Sequence, residues 1–165
     1  MKLERLRYLP KRLSVKDRRQ QRQMLQKSRR LYKRGKYFSR KPLQSFRTKP
    51  SKYIVKARQM YKVETIDATP ELAKKSGCSL DALAKIVNKG EGAYFSSGSR
   101  PNQTAQSWGK ARLASALTAG KAGAVDFSIL ANGCKRGSKG YKMALSARKK
   151  YGHGTRRVPK IRIRI

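Results

Sequence analysis

The stretch SSGSRPNQT, residues 96–104, holds the side chains best suited to binding chemistry in this chain. Glycine, serine hydroxyls and Arg100 are the materials of an anion nest. The stretch lacks the Lys-Ser/Thr ending of a P-loop, and no strand is expected before it. The competing reading is that Arg100 and Asn102 tie the loop to its own helices. Nucleophilic catalysis has no base to work with, because the one histidine, His153, sits between glycines. Glu91 and Asp126 could pair as carboxylates, but acids are so scarce that ion pairs with lysine or arginine are expected instead. Cys78 and Cys134 each follow a glycine, and no CxxC spacing suggests zinc. They fit a reducing compartment, with a disulfide between them as the alternative. No catalytic, cofactor-binding or metal-ligating residue is assigned, and neither an enzyme nor a small-molecule substrate is expected.

Charge points elsewhere. The 165 residues carry a net charge of +35, from 43 Lys and Arg against 8 Asp and Glu. Residues 1–62 carry 23 basic and 2 acidic groups, residues 63–133 carry 8 and 6, and residues 134–165 carry 12 and none. A nearly neutral block thus lies between two cationic ones. Such charge repels itself unless a polyanion or an acidic surface compensates it. The candidate contacts are Arg18, Arg19, Arg22, Arg29, Arg30 and Arg100. No apolar run has the roughly 18 residues of a membrane span. The opening MKLERLRYLPKR lacks a signal-length apolar segment, so a chain made and used inside a cell is expected.

The expected fold is mainly α: a small helical domain with long, extended basic arms at both ends. Residues 1–62 read as a basic arm with one long helix, 63–133 as a small helical core domain, and 134–165 as a basic C-terminal helix and tail. Ser14 starts a helix over 15–34 that stops at Gly35. Pro42 and Pro50 keep the next segment extended. Thr69-Pro70-Glu71 opens a short helix closed by Gly77, and Ser79 caps another that ends at Gly90. Thr104 caps a helix from Ala105 to about Leu117. TAGKAGAV reads as flexible, Asp126 as the cap of a short turn, and Ser138 as the cap of a last helix over 139–150. Trp108, Leu83, Val87 and Leu113 are expected in the core, with Tyr94 or Phe95 beside them. Tyr37, Phe38, Phe46, Trp108, Ile161 and Ile163 are the candidate anchors. Ile161, Ile163 and Ile165 alternate with cations as a half-buried strand does. With no sister strand evident, a strand added to a neighbour's sheet is expected.

The words KGEGAYFSSGSRPNQTAQSWGKARLAS and GKAGAVDFSILANGC resemble a basic domain recurrent in large eukaryotic DNA viruses of the chlorovirus and mimivirus kind. The leader RLRYLPKRLSVKD is similar to the same proteins, and the resemblance covers roughly residues 5–147. It implies a non-enzymatic structural protein of the virion, a minor capsid protein in the inner layer of the capsid, assembled in the host cytoplasm. Its partners would be other capsid proteins, including the major capsid protein, with an anionic inner membrane or viral DNA facing the cations. A virion nucleic-acid-binding or condensing protein and an organellar ribosomal protein are the alternatives.

Overall fold

The structure is a computed structural model that describes residues 2–154 and 159–163. These residues form eight α-helices and one two-stranded sheet, and they divide into two units. The first gathers 2–49, 92–108 and 159–163, and the second 50–91 and 109–154. The charge blocks 1–62, 63–133 and 134–165 do not coincide with these units, because chain contacts, not net charge, define them.

In the first unit, β1 (Lys2–Arg5) pairs antiparallel with β2 (Lys160–Ile163), Lys2 facing Ile163 and Arg5 facing Lys160. The C-terminal strand is therefore real, but its partner belongs to the same chain. This corrects the expectation of a strand given to a neighbour, and the masking residues are the charged Lys2, Glu4 and Arg5. Ile165 lies outside the described residues. Helix α1 (Val15–Tyr32) begins where the Ser14 hydroxyl accepts the Asp17 N–H at 3.1 Å. Its inward residues, Asp17, Gln21, Met24, Leu25 and Ser28, recur at helical spacing. Residues 36–50 contain no helix or strand, as Pro42 and Pro50 require. They nevertheless bury Arg40, Leu43 and Phe46 in their own unit instead of leaving it as an arm. Leu9, Leu13, Met24, Leu43, Phe46 and Ile163 make one apolar cluster, with Phe38 and Ile161 packed on it.

The second unit contains α2 (Lys52–Tyr61), α3 (Pro70–Ser76), α6 (Lys121–Val125), α7 (Phe127–Gly133) and α8 (Lys139–Tyr151). Helices α4 (Leu80–Ser96) and α5 (Ala105–Leu117) give residues to both units. The capping reading holds at α3, where Thr69 accepts the Leu72 N–H, and at α8, where Ser138 accepts the Tyr141 N–H. Leu72, Leu83, Ile86, Leu113, Leu117 and Leu130 are fully buried in its core, and Val87 joins them.

Three expectations change here. Helix α4 does not stop at Gly90. A Cβ built there would lie 2.6 Å from the Gly109 Cα, so this glycine is kept for a close helix crossing, not for a turn. TAGKAGAV is not flexible throughout, since α6 forms and sets Gly123 against the Ala147 methyl. Asp126 makes no cap bond. Its fully buried carboxylate receives Arg112 through two N–H bonds of 2.7 and 2.8 Å, and Lys89 at 3.1 Å. Among the described residues no helix is long and apolar enough to cross a membrane.

Cys78 and Cys134 are joined by a disulfide. The backbone prepares it: Ser79 N–H donates to Gly133 O at 2.7 Å, and Lys135 N–H to Gly77 O at 2.9 Å. Gly140 leaves room for the sulfurs, since a Cβ there would meet Cys78 Sγ at 2.4 Å. The link spans a sequence separation of 56. Closing a loop of that size limits the unfolded chain, worth about 4 kcal/mol in the chain-entropy account. Urea unfolding with and without a reductant should therefore give separated midpoints, the reduced chain being less stable by about that amount. Coincident curves would count against a closed loop.

Candidate polyanion- and partner-binding surface

Burying one face of α1 decides what its other face shows. Lys16, Arg19, Gln23, Gln26, Lys27 and Arg30 are all exposed. They recur every three or four residues, so they form one stripe of hydrogen-bond donors along the helix.

The first unit holds two described carboxylates, and both point inward. Glu4 is 7% exposed and receives both terminal nitrogens of Arg29, at 2.8 and 3.0 Å. Arg29 also donates to the Ser97 carbonyl at 2.6 and 2.8 Å. Asp17 receives the Ser45 hydroxyl at 2.6 Å and the Ser45 N–H at 2.9 Å. Those two bonds, the hydroxyl's first, hold its carboxyl below the ordinary aspartate range. The exposed surface of this unit therefore displays cations without acids among the described residues.

Arg40, absent from the sequence-based candidates, is the buried cation of this unit. Its guanidinium lies over the Tyr94 ring, 3.8 Å from the centroid. One terminal nitrogen donates to Ser28 Oγ at 3.1 Å and Tyr94 O at 2.8 Å, the other to Ser99 Oγ at 2.8 Å. Its backbone N–H donates to the Tyr94 hydroxyl at 2.8 Å. Burial pushes its pKa down from the ordinary arginine value. An arginine starts so high that it keeps its charge. Asn102 completes the clamp: it accepts the Leu43 N–H at 2.6 Å and donates to the Leu43 and Phe46 carbonyls at 3.2 and 2.7 Å. The polar side chains of Ser99 and Asn102 thus bind the chain itself. Nothing in a run of basic residues marked Arg40 as different from its neighbours, although its place between aromatic residues and Pro42 was a weak signal.

Arg19, Arg30 and Arg100 are exposed, whereas Arg18 and Arg22 are half-buried. Arg18 donates to the Lys11 carbonyl. Arg29 is half-buried and donates to Glu4 and the Ser97 carbonyl within its own unit. Phe38, Phe46, Ile161 and Ile163 pack in the apolar cluster of their own unit. Arg12 stacks over Phe46 and Lys27 over Phe38, at 4.6 and 4.5 Å. Tyr37 is 71% exposed. Trp108 is half-buried, edge-on to Tyr8 at 6.4 Å with Arg7 over it at 5.9 Å, and is not in the core expected for it. The α5 start is as read, with Thr104 accepting the Ser107 N–H and Ser107 accepting the Thr104 N–H.

A depression of about 270 Å³ in the second unit is lined by Met60, Tyr61, Lys62, Lys75 and Lys139. Its lysine ammoniums donate to backbone carbonyls, Lys75 to Lys62 O and Lys139 to Met60 O. Among the described residues no group of three or more His, Cys, Asp and Glu gathers where a metal ion could sit.

These features define a mainly helical, strongly basic protein whose first unit turns every described carboxylate inward. Residues 6–132 match a family of unknown function, DUF5824, and the chain belongs to that family. No curated protein and no solved structure matches it.

Two outcomes test this geometry. Arg40→Ala strands the oxygens of Ser28, Tyr94 and Ser99 and should cost about 3–4 kcal/mol in chemical unfolding. Arg40→Lys should rescue little, since an ammonium lacks the planar fork. Because the folded pKa of Asp17 is lowered, its contribution is present above the ordinary aspartate value and lost as pH falls through the folded one. Between about pH 5 and pH 2 the melting temperature of Asp17→Asn should decline less steeply than that of the native chain. Parallel declines would show that the Ser45 bonds carry no such linkage.

Proposed function

We propose that the protein is a non-enzymatic structural component of a large DNA virus particle, a minor capsid protein that holds capsid subunits together through cationic surfaces. The resemblance of its sequence words to proteins of such viruses supplies the setting. The observation that supports the mechanism is the acid-free exposed surface of the first unit. A face bearing Lys16, Arg19, Lys27 and Arg30, with its carboxylates buried, meets its compensation only in another molecule. Acidic faces of the major capsid protein and its neighbours offer that compensation. The grip belongs to the folded surface and to the irregular segment 36–49, whose Lys36, Lys41, Arg47 and Lys49 stay exposed.

A second reading, a virion nucleic-acid-binding protein, draws on the same stripe of cations and glutamines. Phosphates set against it would bind with strong salt dependence and little sequence preference. Stripping purified particles with graded salt separates the two. A capsid protein should leave at raised salt, from shells already treated with nuclease, and stand in a fixed ratio to the major capsid protein. Absence from the particles, or release by nuclease alone, would defeat the capsid reading.

A further inference from the structure

The end of α1 carries a feature that neither charge compensation nor packing explains. Tyr32 and Tyr37 are 38% and 71% exposed, and their rings lie 6.2 Å apart. Tyr37 also leans on Phe95, centroid to centroid at 5.0 Å, and Phe95 stands edge-on to the buried Tyr94 at 5.0 Å. The trio is thus supported from below and open above. A tight turn fixes it. Gly35 takes φ +71°, its N–H donates to Tyr32 O at 3.0 Å, and the Lys36 N–H reaches back to Leu31 O at 2.9 Å. This helix ending returns the chain so that Tyr37 lies beside the helix it has just left. Lys33, Arg34 and Lys36, all exposed, adjoin the two tyrosines in the chain.

We infer that Tyr37 and Tyr32 form a stacking platform for single-stranded nucleic acid, with Lys33, Arg34 and Lys36 receiving the phosphates. Exposed rings among cations answer a ligand that carries flat apolar faces and negative charge at short intervals. A single strand carries both, and its unpaired bases are free to leave their own stack. A duplex hides its base faces, and an acidic peptide would use the cations but leave the rings unmatched. The turn at Gly35 holds the platform before the strand arrives, so little ordering remains for binding to accomplish. The inference goes beyond the capsid reading and does not rest on it, because it concerns the purified chain and one ring pair.

The test is fluorescence anisotropy with three labelled probes of equal length at one salt concentration: an oligothymidylate, its abasic counterpart, and a duplex. The native chain should prefer the oligothymidylate over the abasic strand by about 5- to 150-fold, the range for stacking one base. Tyr37→Ala should remove that preference while leaving abasic affinity unchanged, and Tyr37→Phe should retain it. Equal affinity for the oligothymidylate and the abasic strand overturns the inference. So does a Tyr37→Ala chain that weakens on both strands alike, or a duplex bound as tightly as the single strand.

Discussion

The first unit depends on one buried guanidinium. Arg40 brings three separate pieces of chain to a common point: Ser28 on α1, the Tyr94 carbonyl near the end of α4, and Ser99 in the loop that follows. Hydrogen bonds to charged groups are stronger than those between neutral ones, and a planar fork fixes direction as well as distance. Burying a cation is costly, and here the offset comes from three oxygens and an aromatic face, with no carboxylate among the bonded partners. That choice leaves the few acids for other positions. It also explains how a segment with no helix or strand, residues 36–50, is held by specific bonds instead of drifting as a linker.

A second economy concerns the carboxylates. With eight acids in the chain, each buried one accepts at least two hydrogen bonds. Glu4 takes both ends of Arg29 and Asp17 takes both donors of Ser45. In the second unit Asp126 takes Arg112 and Lys89. A buried carboxylate satisfied by several donors is stable where a single bond would leave lone pairs stranded. The pattern leaves the exterior of the first unit uniformly cationic among the described residues.

Local grammar was well written in the sequence. Ser14, Thr69, Ser79, Thr104 and Ser138 begin helices as their side chains allow, because a cap depends on residues three positions apart. What depends on distant residues was hidden. Gly90 looks like a helix end in one dimension and is a crossing point in three, visible only once Gly109 is beside it. The pairing of Cys78 with Cys134 needed the strand-like bridge between their backbones. The partner of the C-terminal strand was concealed by charge, since KLER has no apolar alternation to advertise. Of the candidate surface, the exposure of Arg19 and Arg30 was legible, but Arg29 and Arg40 were not separable from them. Basic residues look alike until burial tells which ones have been taken in.

The register of β1 on β2 also sets how the chain answers to pulling. Lys2 lies opposite Ile163, so the outermost residues of the two strands sit at the same end of the ribbon. A load applied through those residues opens the ladder rung by rung, as a zipper, and never meets all its hydrogen bonds at once. Such a ribbon yields to small forces along that direction while resisting sliding of one strand past the other.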